Sequence, residues 1–260
     1  MQGEYYFLDE SGERQGDPRL FSYSGFLMSF HDHWFLITAG HVIKQLDQRY
    51  SDPRFEICYM RLIDSLGPGE HDQPIPFDYS SSLRYGEYQL STGMDYGAIM
   101  LRDNYRDLLS ANRMEPVSES NWMNQHHVED MFGFCLLGVP DDETIHQHRI
   151  GDDGEGIVGS IASKVVGIRK LESHPEDAEL YLEGGFVGEV VGLAEGKSVV
   201  GMSGGPIFGF AKRDNRTYCW VVALQSAWDP KRKIVYGCSV PRFGRIMSEA
   251  IGNAMAACTG

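Results

Sequence analysis

The sequence predicts an all-β protein. Short runs rich in Val, Ile, Phe, Tyr and Trp recur along the chain, Gly, Asp, Pro and Asn turns separate them, and strands and helices do not alternate regularly. Those three observations are the signature of a barrel or sandwich, not of a parallel α/β sheet.

In chain order the expected strands are FSYSGFLMSF from Phe21, HWFLITAG from His33, FEICYMRLI from Phe55 and DYGAIML from Asp95. MFGFCLLGV from Met131, KVVGIRKL from Lys164, EVVGLA from Glu189, YCWVVALQSA from Tyr218 and KIVYGCSV from Lys233 follow. Two helices interrupt them. One spans Val42 to Tyr50. The other spans Arg242 to Ala257, where Phe243, Ile246, Met247, Ala250 and Ile251 share a face and make a C-terminal cap. The polar stretch from Asn104 to Val128, with Pro116, Ser118, Glu119, Ser120 and Asn121, reads as a linker between two halves. The acidic start, Met1 to Pro18, is expected to be disordered or to dock a partner.

The 260 residues suit two small modules or one large all-β unit. A 42% hydrophobic and 23% charged composition belongs to an ordinary globular chain. The formal charge of −14 repels phosphate backbones and anionic bilayers, so neither nucleic acid nor membrane is the expected partner. No apolar run approaches the ~18 residues of a membrane span, and MQGEYYFLDESGERQ lacks the basic and apolar regions of a secretory signal. The expected location is the cytoplasm. The cysteines Cys58, Cys135, Cys219, Cys238 and Cys258 are odd in number and widely spaced, which predicts buried free thiols.

Three islands carry the chemistry. ITAGHV places His41 after an apolar strand, GMDYGAIML places Asp95 at the start of another, and VVGMSGGPIFGF places Ser203 among Gly201, Gly204, Gly205 and Pro206. A serine hydroxyl is a weak nucleophile until a base takes its proton, and histidine has a suitable ordinary pKa, about 6.5. Asp95 would fix the histidine tautomer. The glycines would bend the chain so that the N–H groups of Gly201 and Ser203 converge on the oxyanion of a tetrahedral intermediate.

In the order His, Asp, Ser, these islands resemble the trypsin/chymotrypsin-like serine peptidases. GMSGGP matches the GxSGGP of that family, TAGH its TAxH, VALQSAW (Val222 to Trp228) its cleft strand, and GCSVP (Gly237 to Pro241) the wall strand of bacterial, HtrA-like members. The resemblance implies two six-stranded antiparallel β-barrels with the site between them and a C-terminal helix. The expected layout is residues 1–20 as an N-terminal segment, 21–110 as a first barrel carrying His41 and Asp95, 111–128 as a linker, 129–241 as a second barrel carrying Ser203, and 242–260 as the helix. It also implies a substrate pocket formed by Lys197, Ser226 and Gly237, with Lys197 suited to an acidic side chain, and no PDZ module.

Met202 stands where animal digestive members carry an acidic residue that pairs with a newly cut N-terminus, so the oxyanion loop must be held by packing or by a partner. Val42 stands where secreted members have a cysteine. GEGIVG (Gly154 to Gly159) matches GxGxxG, yet the charged HQHRIGDD before it offers no strand, so an acidic loop is expected and no dinucleotide. The pairs His31/His33, His126/His127 and His146/His148 lack metal-site spacing; no metal or cofactor is expected. Asn215-Arg-Thr is a glycosylation sequon in form only.

The expected activity is that of a serine endopeptidase acting on protein or peptide substrates through an acyl-enzyme. A further expectation is a conditional effector, activated by a protein partner in a bacterial defence or signalling system. The alternative is a catalytically silent trypsin fold serving as a binding or sensing module.

Overall fold

The structure, a computed structural model, describes residues 1–64, 73–89, 92–122, 130–141, 145–151, 154–160, 162–175 and 185–259. The first half contains strands β1 (Gln2–Leu8), β2 (Arg14–Ser22), β3 (Phe26–Phe30) and β4 (His33–Thr38), helix α1 (Gly40–Ser51), strands β5 (Phe55–Leu62), β6 (Ile75–Pro76), β7 (Arg84–Gln89) and β8 (Met94–Met100), and helix α2 (Asp103–Ala111). The second contains β9 (Gly133–Gly138), β10 (Ile145–Gly151), β11 (Gly154–Ser160), β12 (Lys164–Lys170), β13 (Phe186–Val191), β14 (Pro206–Arg213), β15 (Arg216–Asp229) and β16 (Ile234–Ser239), followed by helix α3 (Val240–Thr259).

The second half closes as one six-stranded antiparallel barrel in the order β12-β13-β16-β15-β14-β9. Period-two patterning drives it: in β9 Phe134, Leu136 and Gly138 point inward while their neighbours are half-buried. Leu136, Ile207, Ala223 and Val235 are fully buried in its core. The β14–β15 hairpin turns on Asp214 and Asn215, both at positive φ (46° and 60°), as a two-residue type I′ turn needs. The sequon asparagine therefore serves the turn.

The first half departs from the expected six-stranded barrel. It forms two four-stranded sheets, β2-β1-β5-β6 and β3-β4-β8-β7. FSYSGFLMSF is not one strand, because β2 ends at Ser22 and the chain crosses to the other sheet through Tyr23, Ser24 and Gly25. At the far edge β6 ends at Pro76, which has no N–H to extend a ladder.

The N-terminal segment is a second departure. Instead of a tail, β1 lies between β2 and β5, with its first four residues buried. The aromatic run inside an acidic stretch explains this: Tyr5 and Phe7 meet edge to face at 5.4 Å, Phe55 packs on Phe7 at 5.0 Å, and the Arg49 guanidinium lies over the Tyr5 and Phe21 rings. The linker likewise opens with α2, whose Tyr105 and Leu109, one turn apart, are buried. GEGIVG is a strand too, β11, paired along its length with the supposedly unsuitable HQHRIG of β10.

Both expected helices form, slightly longer than read. On α3, Phe243 stacks flat against Tyr96 (4.7 Å, 10°) and edge-on to Phe30, so the helix that ends the second half docks on the first. Among the described residues no helix is long and apolar enough to cross a membrane. Phe243 is 1% exposed. Truncating it as Phe243→Ala is expected to cost about 3–5 kcal/mol of unfolding free energy, measured by urea denaturation.

Candidate active site

His41 lies in the first turn of α1, whose N-terminus receives no side-chain cap from Ala39. Asp95, at the start of β8, supplies what is missing. Its Oδ1 accepts the His41 backbone N–H at 2.8 Å and its Oδ2 meets His41 Nδ1 at 2.8 Å. The carboxylate thus satisfies one of the orphan donors of the helix and lies at its positive end. Because an ionised carboxylate only accepts, Nδ1 carries the proton and Nε2 is left as the basic nitrogen. Such a close approach of α1 to β7 and β8 requires Gly40, since a Cβ there would stand 2.0 Å from Glu87 O and 2.9 Å from Tyr96 O.

Asp95 is 3% exposed, and a third donor reaches it from the other half. The Ser226 hydroxyl donates to Oδ2 at 2.6 Å. Ser226 occupies a bulge in β15, where pairing with β16 shifts register between Gln225 and Ala227, and bulges commonly re-aim a side chain beside a site. Its carbonyl faces the nucleophile candidate: Ser203 Oγ donates to Ser226 O at 3.5 Å. His41 and Asp95 are therefore in direct contact, and Ser203 joins them through Ser226; among the described residues no hydrogen bond links His41 to Ser203.

The turn carrying Ser203 is organised by its carbonyls. Asp141 N donates to Val200 O at 2.9 Å, and Gly205 N donates to Met202 O at 2.9 Å. In a planar trans peptide the N–H points opposite to the C=O, so these anchors turn the N–H groups of Gly201 and Ser203 the other way. The neighbouring amides are occupied: Val200 N on Ser198 Oγ, Met202 N on Val199 O, and Gly204 N on Gln225 O. Among the described residues those of Gly201 and Ser203 donate to no protein acceptor. Gly201 adopts φ +89°, where an L side chain is strained, and a Cβ there would lie 2.2 Å from Asp141 Oδ1. Met202 is fully buried in the second core beside Val199, and this apolar plug stands in place of an ion pair.

The expected pocket residues are more dispersed. Lys197 is exposed in a turn whose N–H bonds Ala194 O. The Ser226 hydroxyl is committed to Asp95. A Cβ at Gly237 would meet Ala223 and Ile207, which belong to the barrel core. Residues that the sequence did not single out are also present. Tyr88, paired opposite Asp95 across β7 and β8, sets its ring edge to face with His41 at 5.7 Å, and Lys44 Nζ lies over the Tyr88 ring, 5.6 Å from its centroid. Only strand register brings Tyr88 there.

His31 lies at positive φ in the β3–β4 turn. His126 and His127 fall outside the described residues, and His146 and His148 are on β10. Among the described residues no group of three or more His, Cys, Asp or Glu could hold a metal ion. Cys58, Cys135, Cys219 and Cys238 are free, but only Cys238 is buried: Cys135 is half-buried, Cys58 is exposed on β5, and Cys219 lies in the run of four exposed residues that opens β15. No protein-family model and no curated protein matches this sequence.

Cys238 is the buried thiol nearest the acid. Its Sγ donates to Gly93 O at 3.1 Å, and burial, reinforced by the Asp95 charge, pushes its pKa up to about 12. Below the ordinary value of 9.0 the thiol is neutral in both folded and unfolded chains. Between there and about 12 only the unfolded chain ionises, so stability falls as pH rises through that window. Iodoacetamide at pH 8 should modify Cys58 and Cys219 in the native protein, and Cys238 only after unfolding, as read by peptide mass spectrometry. The loss of urea stability above pH 9 should be shallower in Cys238→Ala.

Proposed function

We propose that this chain is a serine hydrolase acting as an endopeptidase on protein or peptide substrates. One observation carries the proposal: beside a hydroxyl linked through Ser226 to the His41–Asp95 pair, two N–H groups of the same turn have no acceptor among the described residues. Neighbouring backbone N–H groups without an acceptor are the donors that a developing oxyanion requires.

In this mechanism Ser203 Oγ attacks the scissile carbonyl carbon while His41 Nε2 takes its proton. The carbonyl oxygen becomes the oxyanion and accepts from the N–H groups of Gly201 and Ser203. Asp95 holds the imidazole in its tautomer and stabilises the imidazolium without taking the proton itself. As the C–N bond breaks, His41 returns the proton to the leaving amine, giving the acyl-enzyme. Water, deprotonated by His41, then releases the acid and restores Ser203.

A peptide substrate is favoured by the edge of β15. Its pairing with β14 stops at Pro206 and Leu224, so from Ser226 to Trp228 the strand has β16 on one side and, among the described residues, no strand on the other. An extended chain can add there through main-chain hydrogen bonds. Conditional activation by a protein partner and a cytoplasmic site of action are part of the same proposal; buried Met202 supports it by removing the charged switch used by zymogens.

A fluorophosphonate probe tests this. Wild-type protein should be labelled on Ser203, Ser203→Ala should not, and Asp95→Asn should label about 10⁴-fold more slowly, as tautomer control in such triads implies. Folded wild-type protein that resists the probe would assign the fold to binding rather than catalysis.

A further inference from the structure

We infer that Ser24 is a positioning residue for the oxyanion turn. The inference rests on the hydrolase reading. Ser24 lies in the crossover between β2 and β3, outside all three islands and 177 residues from Gly201, and is 4% exposed. Its hydroxyl donates to Gly201 O at 3.1 Å and accepts the Val139 N–H at 2.9 Å. Its carbonyl accepts from Thr38 Oγ1 at 2.8 Å, and Thr38 ends the strand that leads through Ala39 into His41. One residue of the first half thus grips the oxyanion turn with its side chain and the approach to the base with its backbone.

The turn shows why this grip matters. Three successive carbonyls, those of Val200, Gly201 and Met202, are each held by a donor. Two of those donors, Asp141 N and Gly205 N, are main-chain groups. The third is the Ser24 hydroxyl, the one side chain among the three. Gly201 has no Cβ to restrict its own torsions, so holding the peptides on both sides of it fixes the direction of its N–H. Without the Ser24 bond the Gly201–Met202 peptide is held at one end alone, by Met202 N on Val199 O, and Gly201 O and Val139 N each lose a partner. Gly204 makes the contact close: a Cβ there would stand 2.6 Å from Ser24 O and 2.3 Å from Thr38 Oγ1.

Ser24 touches neither the nucleophile nor the base, so its effect should appear in oxyanion stabilisation alone. The test measures the second-order rate of fluorophosphonate labelling of Ser203 in wild type, Ser24→Cys and Ser24→Ala, alongside acylation of the His41 imidazole by diethyl pyrocarbonate. The expected result is a graded fall in labelling from Ser to Cys to Ala, reaching about 10- to 100-fold, as misplacement of a catalytic donor produces. His41 acylation should stay within about twofold, since that reaction does not use the oxyanion donors. Should the alanine variant not fold, the cysteine variant, close in volume and a weaker donor, carries the comparison.

Equal labelling rates in wild type and the folded variants overturn the inference while leaving the hydrolase reading intact. So does a parallel fall in His41 acylation, which would mark general loosening. Absence of labelling in folded wild type overturns the hydrolase reading, and this inference with it.

Discussion

The site depends on one buried carboxylate. Asp95 receives the His41 N–H, the His41 ring and the Ser226 hydroxyl, donors from α1 of the first half and β15 of the second. A carboxylate at 3% exposure without such donors would carry a desolvation penalty of several kcal/mol. Folding therefore has to bring all three donors to it, and doing so brings the halves into register. The same bonds that make the charge tolerable also orient the imidazole and place the Ser226 carbonyl beside Ser203.

Charge is settled differently in the turn that carries Ser203. Met202 contributes no ion pair and is sealed into the barrel core, so the turn is held by backbone bonds and packing that do not titrate. Planar peptides convert each anchored carbonyl into a direction for the next N–H. A φ of +89° at Gly201 is open to glycine because it has no Cβ, and the surrounding bonds hold it there.

The barrel carrying Ser203 was readable in the sequence because its strands are short runs rich in β-branched and aromatic residues that end in turn residues. His41, Asp95 and Ser203 stood out in the sequence as candidates because each sits in a short motif whose chemistry depends on residue type, and the contact of His41 with Asp95 is in the structure. Tyr88 and Ser24 were not, since a tyrosine opposite Asp95 or a serine behind Gly201 is defined only by pairing across the fold. β1 was missed for another reason: EYYFL supplies an apolar strand, but flanking Glu and Asp dominate its average. β10 shows the same limit, because a polar strand can satisfy its backbone by pairing with β11 without an apolar pattern. The expected first barrel failed where local breaks, the Tyr23–Ser24–Gly25 crossover and Pro76, interrupt the ladder.

The break at the crossover has a structural consequence of its own. If β2 ran on into β3 as a regular strand, Ser24 would be committed to a ladder, its N–H and C=O to neighbouring strands. Instead its carbonyl takes the Thr38 hydroxyl and its side chain reaches into the second half. Opening the sheet at that point releases a polar residue into the interface, where it meets the close approach that Gly204 permits. Together with the Tyr96–Phe243 stack and the Tyr96 hydroxyl on Ser239 O, it makes the contact between halves polar at the site and apolar behind it. Apolar packing is non-directional and supplies attraction. The polar bonds have narrow geometric tolerance and set the register, so the alignment of His41 with the Ser203 turn is governed by the few hydrogen bonds that cross between the halves.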